Sequence, residues 1–158
     1  MESLFLGVYW GNREEDRDKC AEKLSEFLAV ASGLFPELAQ WFLKSSRKKR
    51  ALKPIDFSPE AIAGALRTNN RDTDGQPILE LGFNVGLWNG TSASFSATVG
   101  ASSRYVGNSV LLSFDGECPA DRGAWKRLIE GAVHVFDPDS AVVTDGTFPG
   151  TGADFLTL

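Results

Sequence analysis

The sequence predicts an α+β fold: an antiparallel sheet of about four to five strands with helices packed mainly on one face, in the order β-α-α-α-β-β-β-α-β. Three observations carry this. SLFLGVYW (3–10) is a short apolar, aromatic run closed by Gly11-Asn12, the pattern of a buried strand. Residues 79–99 alternate apolar and polar, the pattern of half-buried strands. Between and after these runs, apolar residues recur at intervals of three and four, as on one face of a helix.

Element by element, Asn12 is placed to cap the first helix, and Glu14, Glu15 and Asp16 lie where the helix dipole favours anions. Cys20, Leu24, Phe27, Leu28 and Ala31 form its apolar stripe, and Gly33 stops it. LFPELAQWFL (34–43) puts Leu34, Leu38, Trp41 and Phe42 at helical spacing and predicts a second helix. The basic run after it reads as a solvated helix end or loop. Ser58, Pro59 and Glu60 predict the start of a third helix, which frays into the polar loop RTNNRDTDGQP.

Leu79, Leu81, Phe83, Val85 and Leu87 form one face of the next strand, and Ala93, Phe95, Ala97 and Val99 one face of its partner. A two-residue Asn89-Gly90 turn would set these faces opposite each other. A three-residue loop of Trp88, Asn89 and Gly90, with Gly90 left-handed, pairs Val85 with Ala93 and Phe83 with Phe95 and keeps the apolar faces together. A strand over 109–115, a helix capped by Asp121 and a short AVVT strand complete the order. Residues 1–145 are expected to form one domain, with 146–158 a loosely held tail.

At 158 residues, 42% hydrophobic and 23% charged, the chain suffices for one ordinary core. No stretch approaches the roughly 20 apolar residues that span a bilayer, and the N-terminus lacks the basic flank and cleavage pattern of a secretory signal, so the chain reads as cytoplasmic. Cys20 and Cys118 form no C-x-x-C and are expected as reduced, buried thiols. Net charge is −5, but the segment 44–53 holds six basic residues and no acid, leaving −11 on the rest. Such a body suits a protein partner of positive potential better than it suits nucleic acid. The 44–53 patch, with no interleaved aromatic for base stacking, is the sole candidate for nucleic-acid contact.

The search for catalytic groups is mostly negative. One histidine, His134, sits among valines and reads as a core or boundary residue; a small hydrolase site around it is the alternative, though no G-x-S-x-G is present. NRDTDG (70–75) resembles part of a calcium loop but lacks the downstream glutamate. Neither catalytic residues nor a metal or cofactor is expected. VYWGNREED (8–16) is only partly explained by a strand giving way to a helix. Tyr9 and Trp10 alternate, so one of them faces away from the core, and aromatics beside Arg13 have the character of interface anchors. Trp88, on the polar side of its strand, is a second such residue.

YWGNRE, WFLKSSRKKRAL, NNRD followed by LELGF and LWNG, GNSVLL and FDPDSAVV resemble, in that order, the immunity protein 52 family of bacterial polymorphic-toxin systems, over roughly residues 3–144. The resemblance implies an antitoxin-like protein that binds a cognate toxin, one with a restriction-endonuclease-like nuclease domain often carried by type VI secretion effectors. A nuclease presents a positive surface, which an acidic inhibitor fits. The expected contact residues are Tyr9, Trp10, Arg13, Glu14, Glu15 and Asp16, the loop residues Arg71, Asp72 and Asp74, and Glu80, Asn84 and Trp88 on the hairpin side.

Overall fold

In the computed structural model, which describes residues 4–44, 53–68, 75, 78–104, 106–114, 121–144 and 156–157, the first apolar run forms β1 (Phe5–Trp10), well inside the sheet. The chain then runs six residues before α1 (Arg17–Leu34) begins. Asp16, not Asn12, caps this helix, its carboxylate accepting from the Lys19 N–H at 2.8 Å. The later start has a tertiary cause: the Gly11 N–H is taken by Asp139 and the Arg13 N–H by the Ala101 carbonyl, so this backbone is already committed.

The expected second helix does not form. Phe35 is extended, Pro36–Leu38 make a single 3-10 turn, and Trp41–Leu43 form β2. Pro36 lacks an N–H and disfavours helix in the residue before it, so the helical spacing of Trp41 and Phe42 is coincidental. Both serve a strand instead: Trp41 is fully buried with its ring edge-on to Phe95, and Phe42 points to the other face. β3 (Lys53–Ile55), at the end of the basic run, pairs antiparallel with β2, where a loop was expected. α2 (Pro59–Ala65) starts at Ser58 as its sequence predicts. Leu79–Leu81 form a 3-10 turn instead of strand, leaving Leu79 exposed.

β4 (Phe83–Trp88) and β5 (Ala93–Val99) keep the expected parity but not the expected register. Val85 faces Ala97, Phe83 faces Val99 and Leu87 faces Phe95, so the three loop residues are Gly90, Thr91 and Ser92. The side chain of Asn89 explains the shift. Its Oδ1 accepts from the backbone N–H groups of Thr91, Ser92 and Ala93 at 3.0, 2.8 and 2.8 Å, while Nδ2 donates to the Glu37 carbonyl. Gly90 takes the expected left-handed conformation, φ +92.

β6 (Asn108–Phe114), α3 (Arg122–Phe136, capped by Asp121), β7 (Ser140–Thr144) and β8 (Leu156–Thr157) follow. β8 lies in the expected tail and pairs with β7 at Val142 and Val143. The described strands form one sheet of eight, more than the four to five expected, in the order β3-β2-β4-β5-β6-β1-β7-β8, with every pair antiparallel. One face is covered. Leu24, Phe27 and Leu28 of α1 and Trp125, Leu128 and Phe136 of α3 pack on Leu6, Val8, Phe95, Leu112 and Phe114, each such residue contributing about 2 kcal/mol. α2 packs against α1. Phe27 touches the rings of both Phe95 and Phe136, tying the two layers.

Asn89→Ala strips three backbone donors of their acceptor and is expected to lower stability by about 2 kcal/mol in denaturant titration. An unchanged midpoint would show that the loop residues alone hold the turn.

Candidate functional site

At the end of β1, the two aromatics part. Trp10 turns inward, 4% exposed and stacked on Phe136 at 5.3 Å; Tyr9 turns outward, 39% exposed. Arg13 is not free for a partner. Its guanidinium lies over the Trp10 ring and donates to the carbonyls of Phe136 and Asp137, capping the carbonyl end of α3. Arg17 does the same for α2, donating to the Ala63 and Leu66 carbonyls with its cation 4.9 Å from the Phe83 ring centroid. Asn108, 1% exposed, fastens the junction: Nδ2 donates to the Gly11 and Ala101 carbonyls and Oδ1 accepts from the Ala101 N–H.

The acids of the same stretch divide likewise. Glu14 is exposed, Glu15 is buried in an ion pair with Lys23 at 2.5 Å, and Asp16 caps α1. Glu80 is exposed on its 3-10 turn. Arg71, Asp72, Asp74, Cys118 and most of the basic run lie outside the described residues. Cys20 is a buried free thiol, pushed up to about 12 first by burial and then by the Glu15 charge, so it is no nucleophile at neutral pH. His134 stands exposed in the last turn of α3, not in the core. Among the described residues, no group of three or more His, Cys, Asp or Glu side chains is placed to hold a metal, and no helix is long and apolar enough to cross a membrane.

What the structure does assemble is a surface. Opposite the helices, the register of five strands sets the outward residues in three rows. Trp88, Ser94, Ser113, Phe5 and Thr144 form the first, and Gly86, Ser96, Leu111, Gly7 and Val142 the second. Asn84, Thr98, Ser109, Tyr9 and Ser140 form the third. Tyr9, Asn84 and Trp88, distant in sequence, thus share one face, with Trp88 at one corner and Tyr9 diagonally across, one strand in from the far edge. Phe42 extends the first row beside Trp88. Next to Tyr9 lies an open depression of about 370 Å³, lined also by Trp10, Gly107, Asn108, Ser109 and Asp139. Phe5 and Leu111 were not singled out from the sequence. The alternation in SVLLSF marks Leu111 as outward, but only the pairing of β6 with β1 places it beside Gly7.

Trp10→Ala is expected to cost about 3–5 kcal/mol of stability, as for a large buried aromatic, and Trp88→Ala less than about 1 kcal/mol. Thermal unfolding of both variants checks this; equal losses would put Trp88 in the core as well.

Comparison with known proteins places the fold. The solved structure of the Pseudomonas aeruginosa T6SS protein PA0821 superposes with a TM-score of 0.51 at 12% identity, over 90% of this chain and 41% of that one. This likeness extends to fold alone, and the chain spans about two fifths of that protein's length. No curated protein matches the chain. The family model of immunity protein 52 matches residues 2–148, nearly the whole sequence, and the chain belongs to that family.

Proposed function

We propose that this protein neutralises a cognate bacterial toxin by binding it stoichiometrically, with no chemistry of its own. Membership of the immunity protein 52 family is the observation that carries the reading. The toxin is a nuclease of restriction-endonuclease-like fold from a polymorphic-toxin system delivered by type VI secretion, and the partners meet in the cytoplasm, where such a nuclease finds its substrate. Charge supports this. A nuclease surface is positive, and outside the 44–53 segment this chain carries −11, enough to steer association. The description of the Pseudomonas aeruginosa structure as a T6SS protein agrees with that setting.

The expected contact residues take different parts within this proposal. Tyr9, Asn84 and Trp88 meet the toxin directly, with Glu14, Glu80, Arg71, Asp72 and Asp74 as charged contacts around them. Trp10, Arg13, Glu15 and Asp16 act from beneath, by holding the end of β1 in shape.

The test is affinity purification of the tagged protein from its own bacterium at moderate and high salt. One protein retained in equal amount at both, which arrests growth and degrades DNA when expressed alone and is harmless when co-expressed, is the expected result. Retention of nucleic acid that washes off as salt rises, with no protein, would overturn the reading in favour of the basic segment.

A further inference from the structure

We infer that the toxin docks on the open face of the sheet, covering its three rows with an uncharged surface and placing basic side chains at the Tyr9–Asp139 corner. This inference rests on the immunity reading above and adds the surface, its orientation and the chemistry of what meets it.

None of the fifteen outward positions from β4 to β7 is Asp, Glu, Lys or Arg, in a chain that is 23% charged. An open antiparallel face is ordinarily solvated by polar and charged side chains. This one is made of seven Ser or Thr residues, Asn84, two glycines and the large side chains Phe5, Tyr9, Trp88, Leu111 and Val142. Depletion of charge with enrichment in aromatics is the composition of an interface centre. A partner covering these positions meets the stem of Lys44 beside Gly86 but no charged outward residue of the five strands, while Trp88 and Tyr9, 38% and 39% exposed, supply the anchors.

Glycine weakens a strand interior unless something must approach closely. A Cβ at Gly7 would stand within 3 Å of the Tyr9 ring, and one at Gly86 at 3.3 Å from Cδ of Lys44. Each glycine therefore makes room for a neighbouring side chain to lie flat, which keeps the face level. Five strands about 4.8 Å apart, each contributing five residues of length, make a field of about 19 by 14 Å. That suits the centre of a standard interface, which covers about 800 Å² per partner.

The rim of the face is polarised. Beyond β4 stand Lys44, whose backbone N–H bonds to the Gly86 carbonyl, and Arg67, which pairs with Asn84. On the Tyr9 side stand Asp139, which lines the open depression, and Asp137, both exposed, while the carbonyl end of α3 there is already capped by Arg13. A cationic side chain entering there meets a carboxylate and the Tyr9 ring together. The complementary partner carries basic residues toward β7 and acidic ones toward β2. A second copy of this chain is the competing occupant.

Ser96→Glu and Thr98→Lys place opposite charges at the centre of the face, where a folded monomer tolerates them. Glu22→Lys with Glu26→Lys on the exposed side of α1 is the control. Each is titrated with the purified toxin domain recovered with the wild-type protein, with circular dichroism and unfolding midpoint confirming the fold. Expected is a loss of at least 100-fold for both face variants and less than threefold for the control, and an Asp139→Asn variant that weakens binding chiefly through a slower, less salt-sensitive association. Wild-type affinity in either folded face variant overturns the docking surface while leaving the immunity reading intact. Failure of the wild-type protein itself to bind overturns that reading instead. A wild-type dimer broken by Ser96→Glu with toxin affinity retained assigns the face to a second copy and equally overturns the proposal.

Discussion

A side-chain period of two, held in register across five strands, decides which surface of this molecule is available to a partner. Every inward position of β4, β5 and β1 is apolar, on β6 only the terminal Asn108 departs from this, and α1 and α3 pack on that side. Because a slip of one residue would exchange the two faces, the register has to be pinned. Two buried asparagines do this. Asn89 closes the β4–β5 hairpin with three backbone bonds, and Asn108 joins the end of β1 to the segment at Ala101. Both make side-chain bonds that a purely apolar core would lack, and both lie at strand ends, where the parity of a whole strand is set.

The conspicuous charges near the N-terminus serve this architecture first. Arg13 and Arg17, four residues apart, each reach the carbonyl end of a different helix, α3 and α2 respectively. Both helices end without a glycine cap, and Asp137 takes a left-handed conformation at the end of α3. A guanidinium with several donors is suited to gathering such unsatisfied carbonyls. Trp10 sits between Arg13 and Phe136, so its ring joins the capped helix to the sheet. The result is that most of a stretch resembling a binding motif is consumed in holding β1, α1 and α3 together, while Tyr9 and Glu14 are exposed and take no part in these bonds.

The sequence is legible where a local signal and the tertiary environment agree. The stripe from Cys20 to Ala31, the Ser58-Pro59 start, the Asp121 cap and the parity of the hairpin all stand in the structure. Residues 34–43 misled because Leu38, Trp41 and Phe42 fall at helical spacing, while Pro36 had already ended the helix. The hairpin register depended on what one amide side chain bonds, which spacing does not record. Basic composition hid β3, and Lys53-Pro54-Ile55 pairs as a short edge strand where proline is tolerated. As for the site, Tyr9 and Trp88 could be picked out singly as outward aromatics. Their common face could not, because it depends on β1 joining β6 across about a hundred residues of chain. The family, by contrast, was visible in the order of short motifs and is shown by the match over residues 2–148.

On the proposal made above, the helices are scaffold and the open face is the neutralising surface. Residue-resolved carbene footprinting of the wild-type protein, alone and with its toxin, tests this without altering the chain. Protection confined to Tyr9, Trp88, Leu111 and their neighbours on the open face is the predicted result. Protection of the exposed sides of α1 and α3, with Trp88 and Tyr9 labelled as in the free protein, would contradict it.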